Sequence, residues 1–105
     1  MDLNLVIICG RVAAEPEIRT FESGSKLIRC LVTTRLEEPK RTDVVPVTLW
    51  DPPPETEAIT LGDRVWATGT IQRRFWGGAD GRKSRLEIIA GQLVRRLEPS
   101  LSEEP

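Results

Sequence analysis

Apolar residues in this chain build no convincing amphipathic helix. They alternate with polar residues, or run together, in short segments bounded by turn formers. The one stretch left for a helix, Asp51 to Leu61, opens on three consecutive prolines, Pro52 to Pro54. These forbid helix at its start and leave room for about two turns at most. A chain of 105 residues patterned this way is a single all-β domain, long enough for one core and not for two.

Five strands are predicted. Leu3 to Val12 is a nearly continuous apolar run, with Leu3, Leu5, Ile7 and Cys9 on one face and Val6, Ile8 and Val12 on the other. A strand apolar on both faces needs two covers, and in a small single-sheet protein another subunit supplies the second most simply. A turn at Glu22 to Ser25 leads to Lys26–Thr34, where Ile28, Cys30 and Val32 alternate with Arg29, Leu31 and Thr33. After a polar loop at Glu37 to Thr42, the third strand, Asp43–Trp50, is interrupted by Pro46. A proline cannot donate to a ladder, so it belongs on an edge or at a bulge. The fourth strand is Asp63–Gln72 and the fifth Arg85–Leu97. Residues 1–97 form the expected domain, and 98–105, EPSLSEEP, read as the start of a flexible linker or tail that cannot bury a core. Five strands, short turns and a vestigial helix fit a five-stranded Greek-key barrel of the OB type, with a β-sandwich as the competing architecture.

The segment from Ile71 to Ile89, IQRRFWGGADGRKSRLEII, carries the functional signal. Two β-rich arms around a glycine-rich connector make a projecting hairpin. It presents Phe75 and Trp76 among Arg73, Arg74, Arg82, Lys83 and Arg85. Rings stack on bases and cations track phosphates, the combination a groove for single-stranded nucleic acid needs. The plainer reading is a solvated hairpin whose rings cover neighbouring core. Formal net charge is only −1, yet Ile71 to Leu97 holds seven basic residues against two acidic ones, so a basic face survives a neutral total. No run spans a bilayer and the N-terminus lacks the basic start of a signal peptide, so a cytoplasmic protein without membrane contact is expected. With no histidine, nucleophile elbow, phosphate loop or metal-ligand cluster, nothing points to an enzyme, a metal or a cofactor.

In their order, the fragments NLVIICGRVAAEPEIR, SGSKLIRCLVTTR, TDVVPVTLW, LGDRVWATGTI and QRRFWGGADGRKSRLEI resemble bacterial single-stranded DNA-binding proteins over about Asn4 to Leu97. The resemblance implies an OB-fold domain that binds and protects single-stranded DNA in replication, recombination and repair. It also implies a homotetramer arranged as a dimer of dimers and a cytoplasmic, nucleoid-associated location. Trp76 falls where the family places a base-stacking tryptophan, and Trp50 where it places an aromatic at the end of the third strand. Phe75 and the basic group Arg73, Arg74, Arg82, Lys83 and Arg85 are further contact candidates, with Arg35 a weaker one. Val44 stands where many members carry another stacking ring, and the proline run replaces a longer capping helix, so a reduced or absent helix is expected.

Other residues have structural readings. Trp66 is expected in the core or at a subunit interface, and Cys30 as a small buried hydrophobe. Because the family pairs first strands across a two-fold axis, Cys9 is a candidate for an intersubunit disulfide, which needs Cα atoms within about 7 Å. The acidic tail through which the family recruits replication and repair proteins is not recognisable in the last residues. The alternative function is a primosomal or replication adaptor of the same fold that mainly contacts proteins.

Overall fold

In a computed structural model that describes residues 1–96, the chain forms six strands and one turn of helix. They are β1 (Val6–Val12), β2 (Glu17–Thr20), β3 (Lys26–Glu37), β4 (Lys40–Trp50), α1 (Pro54–Glu57), β5 (Arg64–Trp76) and β6 (Lys83–Arg96). The strands follow one another as β1-β5-β6-β4-β3, and β3 returns to β1, closing a five-stranded barrel on which β2 is an added strand. One edge of β3 pairs with β4 along nearly its whole length; the other takes β2 at Lys26 to Arg29 and β1 at Val32 and Thr33. The anticipated tail at 98–105 lies outside the described residues.

Inward-facing residues of every barrel strand form one core, among them Val12, Ile28, Cys30, Val32, Val47, Val65, Ala67, Ile88 and Leu93. The period-two alternation seen in the sequence therefore points the expected face, Ile28, Cys30 and Val32, inward on β3. Two glycines permit backbone contacts that no side chain would allow. A Cβ on Gly10 would lie 2.0 Å from the Thr33 carbonyl oxygen, where β1 closes against β3, and one on Gly69 would lie 2.1 Å from the Ile89 carbonyl oxygen. Gly69 sits at the β-bulge that lets β5 and β6 curve around the barrel.

Several boundaries differ from the sequence reading, each for a local reason. β2 is an addition to the five expected strands; it is four residues long, fully exposed and carries no apolar alternation strong enough to announce it. The expected loop at Glu37 to Thr42 is a tight turn at Glu38 and Pro39, joined by a cis peptide bond, with Lys40 to Thr42 already paired to β3. Polar composition there reflects exposure of both faces rather than loss of the ladder. β1 starts at Val6, leaving Leu3, Leu5 and Ile7 as an exposed apolar stripe on the outside of the barrel. Pro46 does sit at an edge: β6 pairs with β4 only at Val47 and Thr48. The helix is reduced to four residues with Pro54 at its first position, and buried Thr56 anchors it by donating through Oγ1 to the Leu93 carbonyl at 3.1 Å.

Candidate nucleic-acid interface

The ladder registers lay out the outer face of the barrel as a grid. Arg19, Leu27 and Trp50 face one another across β2, β3 and β4, and Glu17, Arg29 and Thr48 form the next rung. The β5–β6 hairpin stays paired out to Trp76 and Lys83, beyond the arms expected from sequence, so the finger is a regular ribbon up to its glycine tip. Between the grid and the finger runs a groove of about 570 Å³. Phe21 and Trp50 line one side, Gln72, Arg73, Arg74 and Phe75 the other, with Leu27, Arg29, Thr48, Glu87 and Ile89 between them. A neighbouring hollow of about 360 Å³ is lined by Arg29, Arg74, Trp76 and Arg85. Arg29 and Arg74 belong to both, so Trp50 and Trp76 lie along one concave path joined by two guanidiniums.

The rings on this path are accessible. Trp50 is 47% exposed, Phe75 54% and Trp76 44%. Each is held by a neighbour: Trp50 stacks on Phe21, the Arg82 guanidinium lies 5.2 Å from the Phe75 centroid, and that of Arg85 lies 5.8 Å from the Trp76 centroid. Such cation–π partners orient a ring and leave a face for a base. Arg73 donates from Nη1 to Ser84 Oγ at 3.1 Å, and Lys83 faces Trp76 across the ladder.

Beneath the rings lies a polar relay. Arg29 donates through Nε to Thr48 Oγ1 at 3.1 Å and through Nη1 to Glu17 Oε1 at 3.4 Å. The Thr48 hydroxyl donates to Glu87 Oε2 at 3.4 Å. Burial, reinforced by the nearby charge of Arg74, pulls the Arg29 guanidinium below its ordinary range, while Glu87 and Glu17 oppose that shift. Buried polar groups are satisfied throughout the described residues.

The structure gathers Trp50, Phe75, Trp76, Arg73, Arg74 and Arg85 on this surface and places Arg82 and Lys83 at the finger tip. Arg35 is elsewhere. It pairs with Thr42 and lines a separate pocket with Cys9, Arg11 and Arg64, because β3 carries it past the barrel closure and away from the groove. Trp66 is 40% exposed, with the Arg96 guanidinium 5.3 Å from its ring, and is no part of the core: it alternates with buried Val65 and Ala67 and so points outward. Val44 is exposed opposite Thr33 and supplies no ring. Cys9 and Cys30 are free thiols; Arg64 Nη1 donates to Cys9 Sγ at 3.8 Å, and burial pushes the Cys30 thiol up to about 11.

Phe21, Arg19, Arg29 and Glu17 escaped the sequence reading as contributors to this surface. The signal was the alternation of Glu17, Arg19 and Phe21 in EIRTF, which puts all three on one face only if the segment is a strand.

A family model described as the single-strand binding protein family matches residues 3–96. The single-stranded DNA-binding protein of Caldanaerobacter subterraneus is 32% identical over 108 residues, covering 92% of this chain and 69% of that protein. Single-stranded DNA-binding protein 2 of Listeria innocua is 24% identical over 104 residues, covering 92% of this chain but only 65% of its own length. Among solved structures, a Plasmodium falciparum SSB in complex with ssDNA superposes with a TM-score of 0.79 at 24% identity, covering 91% of this chain and 96% of that one.

Proposed function

The chain belongs to the single-strand binding protein family, and we propose that it binds and protects single-stranded DNA without sequence preference, as a non-enzymatic component of replication, recombination and repair. The observation that carries this reading is the pair Trp50 and Trp76, both exposed along one concave path and bridged by Arg29 and Arg74. Bases stack on the rings, worth about 1–3 kcal/mol each, and Arg73, Arg74, Arg82, Lys83 and Arg85 take phosphates. Stacking does not distinguish one base from another, which accounts for binding without sequence preference.

The working form is a homotetramer, supported by the exposed stripe of Leu3, Leu5 and Ile7, apolar surface that one barrel leaves uncovered. No described helix is long and apolar enough to cross a membrane. The proposed place of action, the cytoplasm with its nucleoid, follows from the family reading. The adaptor alternative is not favoured, because the family match over residues 3–96 and a relative 32% identical, itself a single-stranded DNA-binding protein, point to nucleic acid. Titration with oligo-dT at low salt tests the proposal. Quenching of tryptophan fluorescence to saturation supports it, and unchanged emission at micromolar concentrations overturns it.

A further inference from the structure

At the rim of the groove one carboxylate holds two arginines. Glu17 Oε2 accepts from Arg19 Nη2 at 2.9 Å, and Glu17 Oε1 accepts from Arg29 Nη1 at 3.4 Å. Both arginines line the groove beside Trp50 and Phe21, whereas Glu17 lies at its edge and is about half exposed. Geometry on three strands produces the arrangement. Glu17 faces Arg29 across the β2–β3 ladder, and Arg19, two residues on, shares its face of β2. Arg29 is anchored from its other side by Thr48 at 3.1 Å, with Glu87 at 3.9 Å, so its guanidinium is fixed while Glu17 can swing into solvent.

A carboxylate bridging two guanidiniums offers the oxygens and the negative charge that a phosphodiester would bring to the same place. We propose that Arg19 and Arg29 form a phosphate site of the groove, and that Glu17 occupies it in the free protein as an internal stand-in which the nucleic-acid backbone must displace. This inference rests on the single-stranded DNA reading and deepens it. Neither arginine lies on the finger, so the site fixes the backbone on the Trp50 side of the path, across from Arg73 and Arg74. The strand is then gripped from both sides. Binding is held below its intrinsic strength, because each exposed ion pair that must open opposes it.

The test compares oligo-dT affinity of the parent, Glu17→Gln, Glu22→Gln and the double variant Glu17→Gln/Arg19→Ala at several salt concentrations. Glu22→Gln removes an equal charge from the adjoining turn, where the side chain does not line the groove, and so measures the effect of net charge alone. Freeing two exposed ion pairs should tighten binding of Glu17→Gln about two- to tenfold at low salt relative to Glu22→Gln. The gain should fade as salt rises. Adding Arg19→Ala should abolish most of it and flatten the salt dependence, lowering its slope by about 0.7 for each phosphate the groove no longer holds. If the parent binds oligo-dT and Glu17→Gln binds no tighter than Glu22→Gln, the stand-in is overturned while the family function stands. A gain that survives Arg19→Ala overturns it in the same way. A parent that fails to bind oligo-dT overturns both.

Discussion

Phe21 and Trp50 stack with ring centroids 5.4 Å apart and planes inclined at 27°. The pair joins the end of β2 to the end of β4 across Leu27, which is buried in the groove although it is no part of the barrel core. One face of Trp50 is thus braced against the protein, and in the proposed binding mode the indole meets the nucleic acid already oriented. Phe21→Ala should weaken oligo-dT binding and lower stability, each by about 0.5–1.5 kcal/mol, the worth of an aromatic pair. Phe21→Leu should recover stability more than binding. Parallel titration and thermal melts separate the two, and an unchanged affinity for Phe21→Ala would show that Trp50 needs no brace.

Glu17 should titrate below the ordinary range of a glutamate side chain. Its pKa is lowered from 4.5, first by the hydrogen bond from Arg19 and then by the charges of Arg19 and Arg29. A carboxyl depressed in the folded state contributes stability that is present above its unfolded pKa and lost as pH falls through the folded value, here in the acid range below about 4.5. Side-chain NMR titration should find this low midpoint and its return toward the ordinary value in Arg19→Ala. A normal midpoint in the parent would contradict the bridge.

The two cysteines should behave differently. Cys30 is buried in the core with its thiol pushed from 9.0 up to about 11, while Cys9 is only partly covered. A thiol reagent at neutral pH should modify Cys9 and spare Cys30 until the chain unfolds. Because the Cys30 pKa is raised in the folded state, its contribution to stability is full below pH 9.0 and is lost as pH rises toward 11. Equal labelling of both cysteines in the native protein would contradict the placement of Cys30. If Cys9 bridges subunits, a non-reducing gel of oxidised parent shows a dimer that Cys9→Ser abolishes.

The apolar stripe bears on assembly. Light scattering of the parent should give the mass of four chains, and Ile7→Asp, which puts a charge on exposed β1 surface, should give a smaller species with the barrel still folded. A parent that runs as a single chain at micromolar concentration would contradict the tetramer.

Much of this architecture was legible in the chain. The alternation of Ile28, Cys30 and Val32, the early break at Pro52 and the ring-and-arginine finger each translate directly into an inward face, a one-turn helix and a groove wall. What was hidden depends on pairing between distant segments. β2 is exposed and polar, and only its ladder with β3 makes it a strand, so the alternation of Glu17, Arg19 and Phe21 marks a shared face only once that pairing is known. Arg29 reads as an ordinary solvent-side residue; the approach of Thr48 and Glu87 from two other strands makes it an anchored, largely covered cation. Arg35 lies apart for the converse reason, being basic and on β3 but beyond the point where the groove ends.

In the proposed binding mode the finger stacks bases on Trp76 while arginines beside it take phosphates, and the dependence of affinity on salt separates the two contributions. Oligo-dT affinity should be measured across a salt series for the parent, Trp76→Ala and Arg74→Ala. Trp76→Ala should lose about 1–3 kcal/mol with the slope of log affinity against log salt nearly unchanged. Arg74→Ala should lower that slope by about 0.7, with its loss largest at low salt. Parental affinity for Trp76→Ala at every salt concentration would contradict base stacking by the finger.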